Sequence, residues 1–299
     1  MRFQRLIPLL MLLCLFPILS FADGSVINLI ASPEKESTFA EGVSILEVVF
    51  PRVHSSDCAI LRFEDEVMMI DASTPGAGMQ ARIKSALEAM GITRIHTAFN
   101  THPHNDHIGG FETVYAHAPI DQLVLTFPED YNKHMIKSVN FMKDHHVPIS
   151  HVSDGDVFTM GDAGAVRFEV IQRNGPRWTE NDQSAMLMVS YGDRRMLLAA
   201  DIENRAQTSY AEELPACGIQ ADILKYPHHG LVRMNTAFFE AVSPELTLIN
   251  GGLDTGREGR NYLKQKKADF LVGYKGLTRM RTDGIIWVID YLDEIVTDD

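Results

Sequence analysis

The feature that most constrains the fold of this chain is a dense group of histidines and an aspartate directly after a predicted strand. Residues 101–110 read THPHNDHIGG and contain an H-x-H-x-D-H spacing formed by His102, His104, Asp106 and His107. The preceding residues 95–99 predict a strand, and a loop at a strand end can turn alternate side chains toward one point. Imidazole and carboxylate together suit zinc and similar divalent ions. The sequence therefore predicts a metal site at the end of a strand.

The composition is that of a globular protein. Of the 299 residues, 45% are hydrophobic and 22% are charged, which excludes a disordered or fibrous chain. The 40 acidic and 27 basic residues give a formal net charge of −13. This acidic balance disfavours a broad surface for nucleic acid, which is bound mainly through phosphate contacts.

The first 22 residues predict a cleavable signal peptide. Two arginines precede an apolar run over residues 6–19, and residues 20–22, Ser-Phe-Ala, place small side chains at the −3 and −1 positions of a cleavage site. An uncleaved membrane anchor is the alternative, because the run is close to the lower length limit for a span. Cleavage predicts a secreted or periplasmic protein without stable membrane insertion. Cys58 and Cys217 would then be its two thiols and could form one disulfide.

Strand and helix patterns alternate through the rest of the chain. Residues 23–42 are polar and acidic and predict a loose N-terminal lead-in. Beyond them, short β-rich runs alternate with amphipathic segments such as residues 79–90. No repeat, low-complexity tract or linker divides this region. The sequence predicts a single α/β domain over residues 43–299.

The H-x-H-x-D-H motif resembles the signature of the metallo-β-lactamase fold superfamily. Over about residues 43–290 the chain is similar to the hydrolase domain of the ComEC-type DNA-uptake proteins and to their free-standing secreted relatives. The segments that carry this likeness, in the same order, are HSSDCAILRF (54–63), MMIDAS (68–73), NDQSAMLMVSYG (181–192), MLLAAD (196–201), ADILKYPHHG (221–230) and MRTDGIIWVID (280–290). The resemblance implies a four-layer αββα sandwich. It also implies two divalent metal ions, preferably Zn²⁺ with Mn²⁺ as the alternative, at one rim between the two sheets.

The resemblance implies a ligand role for each residue of the motif. His102 and His104 correspond to the two histidines of the first metal site, and Asp106 and His107 correspond to ligands of the second. Asp201, at the end of an apolar run, corresponds to the carboxylate that bridges or supports both metals. Asp106 would in addition hold the attacking hydroxide, which makes it a catalytic residue.

The histidine pair at residues 228–229 leaves two assignments open. One histidine corresponds to the remaining ligand of the second metal, and the other would face the substrate or hold a neighbouring carboxylate. Because successive residues of a strand point to opposite faces, both are not expected to be ligands. His228 is the preferred ligand and His229 the catalytic residue, and the reverse assignment is the alternative.

Two further residues correspond to positions behind or beside the metals. Asp71 corresponds to an aspartate that orients the metal loop from behind. Asn181 stands where many superfamily members have a third first-site histidine, about twenty residues before Asp201. The first metal would therefore have His102, His104 and Asp201 as protein ligands, and it should bind more loosely or keep more water.

Together these features predict a secreted, metal-dependent hydrolase that uses a metal-bound hydroxide. The ComEC-type resemblance favours a phosphodiester or another anionic ester as substrate, so that a phosphodiesterase or nuclease is the specific expectation. Nucleic acid itself stays an alternative that the net charge disfavours. The other functional alternatives are a metal-dependent oxidoreductase of the same fold and a hydrolase of the β-lactamase or lactonase type.

Overall fold

The computed structural model describes residues 25–29, 39–213 and 218–292. The predicted signal peptide at residues 1–22 and Cys217 lie outside the described residues, and Cys58 is buried. Signal cleavage and the disulfide therefore stay predictions. Among the helices of the described part, none has the length and apolar character that a membrane crossing requires.

The secondary structure alternates between strands and helices along the described residues. The strands are β1 (Ile27–Leu29), β2 (Leu46–Phe50), β3 (Ala59–Phe63), β4 (Glu66–Ile70), β5 (Thr97–Asn100), β6 (Leu123–Leu125), β7 (Ile149–His151), β8 (Val157–Met160), β9 (Val166–Ile171), β10 (Met186–Tyr191), β11 (Arg194–Leu198), β12 (Ile223–Lys225), β13 (Leu246–Ile249), β14 (Phe270–Val272), β15 (Thr278–Thr282) and β16 (Trp287–Tyr291). The helices are α1 (Ala77–Ala89), α2 (Asn105–Ile108), α3 (Phe111–Tyr115), α4 (Lys133–Asp144), α5 (Asn204–Glu213), α6 (Thr236–Val242) and α7 (Arg257–Lys266).

The strands of the described part form one sheet of nine strands and one of seven. The spatial order is β1-β16-β15-β2-β3-β4-β5-β6-β7 in the first and β14-β13-β12-β11-β10-β9-β8 in the second. Strands β4, β5 and β6 run parallel, as do β11, β12 and β13. Since parallel strands end at the same edge of a sheet, each sheet collects several carboxyl ends at one rim.

Alternation along the strands separates the core into layers. In β2, Val48 and Phe50 pack with Leu187 of β10 in the cluster between the two sheets, whereas Val49 packs with Ile83 of α1 on the outer face. On the far side of the second sheet, apolar residues of β10 and β11 pack against α5, α6 and α7. The predicted four-layer αββα sandwich is therefore confirmed.

The N-terminal lead-in contributes to the first sheet. Residues Ile27–Leu29 pair in parallel with β16, with Ile27 opposite Trp287. Ile27 is buried in the core between the sheets. This strand is short and lies in an otherwise polar stretch, so periodicity alone did not indicate it.

Helix α4 fixes the loop that carries the histidine motif. Asn132 caps this helix, because its side-chain oxygen accepts hydrogen bonds from the backbone amides of His134 and Met135. The amide Nδ2 of Asn132 donates to the carbonyl oxygen of Pro103 at 2.9 Å. A cap residue of one element thereby positions the loop at the rim.

Candidate metal centre

The functional side chains lie at the rim where the parallel strands of both sheets end. Each of five strands, β4, β5, β11, β12 and β13, is followed within four residues by a buried polar side chain, namely Asp71, His102, Asp201, His229 and Asn250. The short helix α2 begins just after His104 and carries Asp106 and His107. The topology thus brings together segments that are more than 100 residues apart in sequence.

Four side chains converge at the centre of this rim. His107 Nε2 lies 3.2 Å from Asp201 Oδ2, and His229 Nε2 lies 3.4 Å from the same oxygen. His229 Nε2 is also 3.4 Å from Asp106 Oδ2, and His107 Nε2 is 4.0 Å from it. His107, Asp201 and His229 are buried. The arrangement places two imidazole nitrogens and two carboxylates around one point.

Several buried atoms of this cluster have no hydrogen-bond partner among the described residues. They include His107 Nε2, His229 Nε2 and Asp201 Oδ1. Leaving a buried polar atom unpaired costs about 1–3 kcal/mol, so proteins rarely keep several together without a ligand. Imidazole nitrogen and carboxylate oxygen form a donor set that zinc and related divalent ions prefer. These residues fit a divalent metal ion.

Asp71 lies behind His107, on the side away from Asp201. His107 Nδ1 is 2.7 Å from Asp71 Oδ2 and donates its proton to it. The same carboxylate accepts hydrogen bonds from the backbone N and the hydroxyl of Thr101 and from Asn100 Nδ2. In the neutral imidazole, a proton held on Nδ1 leaves the lone pair of Nε2 facing the cluster.

His102 and His104 form the other half of the site. His102 Nε2 lies 3.1 Å from His104 Nδ1 and 3.8 Å from Asp201 Oδ2. His102 is buried, whereas His104 is partly exposed. His102 therefore links His104 to Asp201, and the centroid of its ring also lies 3.9 Å from that of His107, so that the two halves of the site are in contact.

Asn181 lies beside the site without entering the cluster. Its Nδ2 donates to Glu203 Oε1 at 3.2 Å. Its neighbour Glu180 contacts the site directly, with Oε2 at 2.6 Å from His104 Nε2. Asn181, which the resemblance aligns with a third histidine, thus contacts Glu203, whereas Glu180 contacts His104.

The chain turns at residues 227–230 and does not continue as a strand. His228 and His229 both have left-handed backbone conformations, with φ of 49° and 53°. Such conformations are uncommon for residues other than glycine and often mark functional sites. The turn removes the strand alternation on which the expectation for this pair was based.

The two histidines of this turn consequently differ in position. His229 is buried in the central cluster, while His228 lies at its edge. His228 Nε2 is 3.7 Å from Asp201 Oδ2, and its Nδ1 is 3.0 Å from Glu203 Oε1. The structure thus places His229 in the group of potential metal ligands and His228 beside it, whereas the sequence favoured His228 with His229 as the alternative.

Asp57 lies in the segment 54–63 that carries the resemblance but has no predicted site role, and the structure adds it to the central cluster. One of its carboxylate oxygens lies within 4.8 Å of potential ligand atoms of His107, Asp201 and His229. Asp57 Oδ1 accepts a hydrogen bond from Asn250 Nδ2 at 2.5 Å, and Oδ2 accepts one from Lys225 Nζ. With both oxygens occupied in this way, Asp57 lies behind His229 and is paired with a buried cation.

The buried charges of the cluster shift one another's pKa values. Burial opposes the protonation of His229, but Asp201 and Asp106 raise its pKa to about 9. Burial likewise opposes protonation of His107, and Asp201 and Asp71 nevertheless raise its pKa well above the ordinary value. Burial also works against ionisation of Asp201, yet His229 and His107 lower its pKa well below the ordinary value. Without a metal ion, the carboxylates therefore favour the protonated form of both imidazoles.

Comparisons with known proteins agree with this architecture. The sequence profile of the Metallo-beta-lactamase superfamily matches residues 51–245. Over 204 residues the chain is 26% identical to ComE operon protein 3 of Bacillus subtilis (strain 168), which corresponds to 66% of this chain and 24% of that protein. The chain therefore spans about a quarter of the length of this relative.

Two examples illustrate the likeness to solved structures. The metallo-beta-lactamase fold protein YhfI from Bacillus subtilis has a TM-score of 0.51 at 11% identity, over 80% of this chain and 100% of that one. CmlA, a diiron beta-hydroxylase from Streptomyces venezuelae, has a TM-score of 0.50 at 12% identity, over 81% of this chain and 54% of that one. At such identities the likeness shows the fold alone.

Proposed function

This chain belongs to the metallo-beta-lactamase superfamily of metallo-enzymes, and from that premise we propose that it is a hydrolase acting on a phosphodiester or another anionic ester. The observation that carries the proposal is the convergence of buried, unpaired imidazole nitrogens and a carboxylate oxygen at the rim between the sheets. The ComEC-type resemblance favours a phosphodiester over a β-lactam. Secretion is part of the proposal and rests on the predicted signal peptide at residues 1–22 alone.

Two groups of residues would hold the metal ions, with Asp201 shared between them. The first group is His102, His104 and Asp201, and the second is Asp106, His107, His229 and Asp201. Two divalent ions, preferably zinc, would lower the pKa of a water molecule near to neutrality and neutralise the charge that develops on the ester. The deep burial of Asp201 suits a carboxylate that supports both ions.

The residues on the open side of the cluster would handle the substrate and the proton. The side chain of Asp106 is 31% exposed, against 1% for Asp201, so Asp106 is the carboxylate of the cluster that solvent reaches. Asp106 Oδ2 can accept a hydrogen bond from the attacking water and orient it toward the ester. His228 lies at the edge with Glu203 beside its Nδ1, and its Nε2 would contact an oxygen of the substrate.

The acidic balance of the chain is compatible with a small substrate. The predicted ligands include the carboxylates of Asp106 and Asp201, whose charge two divalent ions would outweigh locally. An anionic ester would then be attracted to the metals even though the whole chain carries −13. The net negative charge of the chain would repel a long nucleic acid, so a small ester is the preferred substrate class.

The test is a comparison of substrates with metal-loaded protein. We expect zinc- or manganese-loaded protein to hydrolyse bis-p-nitrophenyl phosphate and not nitrocefin, and Asp201→Asn to abolish this activity. His145→Ala is the matched control, because His145 lies at the opposite end of α4 from the motif loop and should leave the activity unchanged. Turnover of nitrocefin alone would overturn the phosphodiester assignment. Stoichiometric iron without ester hydrolysis would instead favour the oxidoreductase alternative.

A further inference from the structure

Both ring nitrogens of His104 have a defined neighbour. Nδ1 lies 3.1 Å from His102 Nε2, and Nε2 lies 2.6 Å from Glu180 Oε2. An ionised carboxylate can only accept a hydrogen bond, so the contact with Glu180 requires a proton on Nε2 of His104. In the neutral imidazole, Nδ1 then carries a lone pair that faces His102.

The proton of His102 is located by a second chain of hydrogen bonds. The Thr101 hydroxyl donates its one hydrogen bond to Asp71 Oδ2 at 2.6 Å. Because its proton is used there, its oxygen can only accept a hydrogen bond from another group. Its oxygen lies 3.1 Å from His102 Nδ1, which consequently acts as the donor. His102 Nε2 is left with its lone pair, and this lone pair faces Nδ1 of His104.

Two unprotonated nitrogens thus face each other at 3.1 Å across the first half of the site. Two lone pairs at this distance repel each other unless a cation lies between or beside them, so the pair is arranged to chelate a metal ion. Thr101 and Asp71 fix one member of the pair, and Glu180 fixes the other. Asn181 replaces a third histidine in this half of the site, so the ion depends more strongly on each remaining ligand.

Glu180 is itself held in place. The Tyr131 hydroxyl forms a hydrogen bond with Glu180, and burial together with this carboxylate raises the pKa of Tyr131. The Glu180 side chain is 38% exposed, which distinguishes it from the buried Asp71. An ion pair at this exposure would contribute little to the free energy of unfolding. A contact that selects a tautomer would act on metal binding, because carboxylates that orient ligating histidines commonly change metal affinity 10- to 100-fold.

We infer that Glu180 is a positioning residue of the first metal site: it keeps the proton of His104 on Nε2, and thereby presents Nδ1 to the metal in a half-site that lacks the third histidine. This inference rests on the proposed two-metal function. Glu180 belongs to neither group of proposed metal ligands, and it would act through His104.

The first test is made on metal-free protein and needs no activity. Long-range ¹H–¹⁵N NMR of histidine-labelled protein reports which ring nitrogen of His104 carries the proton. We expect the Nε2-protonated form in the wild type and in Glu180→Gln, whose amide oxygen can still accept. Glu180→Leu should mix the two tautomers of His104. Glu203→Leu, which removes a carboxylate beside His228, should not. An unchanged His104 tautomer in Glu180→Leu would overturn the inference.

The second test measures metal affinity. In a titration, we expect two Zn²⁺ ions to bind with different affinities. Glu180→Leu should weaken the lower affinity 10- to 100-fold and leave the higher affinity within about twofold of the wild-type value. Glu180→Gln should recover most of this loss, and Glu112→Leu, on the exposed face of α3, should cause none. Equal affinities in Glu180→Leu and the wild type would overturn the inference. A wild-type protein that binds no second ion would overturn the proposed function, whereas the tautomer of His104 would still decide the role of Glu180.

Discussion

His107 Nδ1 donates a buried hydrogen bond to Asp71 Oδ2, and the two atoms lie 2.7 Å apart behind the central cluster. The carboxylate contacts the ring nitrogen of His107 that faces away from Asp201. Glu180 makes the corresponding contact with His104 at the exposed side of the site. In each half of the site, a carboxylate therefore forms a hydrogen bond with one histidine, and the two carboxylates differ mainly in burial.

We expect Asp71→Asn to weaken metal binding 10- to 100-fold. Asp71 accepts four hydrogen bonds, whereas an asparagine has one acceptor oxygen and would turn its amide group toward donors. Zinc titration calorimetry measures the affinity, and circular dichroism verifies the fold. Asp65→Asn, in the exposed turn between β3 and β4, is the matched control and should change neither. Wild-type zinc affinity in Asp71→Asn would contradict this role.

The histidine pair yields a second prediction. His229→Ala should reduce the bound metal from two ions to one, because His229 Nε2 faces both Asp106 and Asp201 in the buried cluster. His228→Ala should retain two ions and lose catalytic rate on the ester substrate, because its ring lies at the edge. Metal content by mass spectrometry after dialysis distinguishes the variants. Loss of an ion in His228→Ala and not in His229→Ala would restore the assignment that the sequence favours.

The residues that the sequence predicted well are those whose relationship is local. His102, His104, Asp106 and His107 lie within six consecutive residues, so their spacing alone implied that they meet. The strand and helix patterns predicted a single α/β domain, whereas the four-layer arrangement required the resemblance to a known family. Asp201 required the resemblance to a known family, since an aspartate after a strand is common at protein surfaces.

The residues that the sequence could not indicate depend on tertiary contacts. Asp57 and Lys225 are 168 residues apart and meet only because β3 and β12, in different sheets, reach the same rim. Glu180 contacts His104 across 76 residues and belongs to no spacing pattern. The positions of His228 and His229 depend on left-handed turns at two consecutive residues, which no strand or helix periodicity predicts.

The third prediction concerns pH. The pKa of His229 is raised from 6.5 to about 9, so its protonation stabilises the metal-free fold fully below pH 6.5, and this contribution is lost as the pH rises through about 9. The pKa of Asp201 is lowered from 3.8, so its contribution is present above pH 3.8 and is lost as the pH falls through the folded value. The metal-free protein should therefore lose stability between pH 6.5 and 9, by roughly 3 kcal/mol at most for His229.

Metal affinity should change in the opposite direction over the same pH range. His229 must lose its proton to bind a metal ion, so binding releases protons at pH 7 and tightens as the pH rises toward 9. Urea unfolding in the presence of a chelator measures the first effect, and calorimetry in buffers of different ionisation enthalpy measures the second. His229→Ala should reduce the pH dependence of both quantities and leave the part that comes from His107. Unfolding energies and zinc affinities that do not vary with pH in the wild type would contradict the assigned protonation.

The last prediction concerns the buried ion pair behind the cluster. Lys225 is 3% exposed, and its Nζ contacts Asp57 Oδ2 and the carbonyl oxygen of Ala200. Lys225→Met leaves the Asp57 carboxylate buried without its cation, a change that costs about 3–5 kcal/mol of unfolding free energy. Lys137→Met is the matched control, because Lys137 is 65% exposed in its pair with Glu112, where such a contact contributes about 1 kcal/mol or less.

A double-mutant cycle separates the pair from the rest of the core. Asp57→Asn combined with Lys225→Met removes both charges, so the double variant should be less destabilised than the sum of the single variants. The loss of unfolding free energy in Lys225→Met should also be smaller with zinc bound. Asp57 Oδ2 lies 3.9 Å from His229 Nδ1, so a divalent ion at His229 would compensate the charge of the Asp57 carboxylate. Chemical denaturation with and without zinc measures these differences. A Lys225→Met variant no less stable than Lys137→Met would show that the buried lysine does not neutralise Asp57.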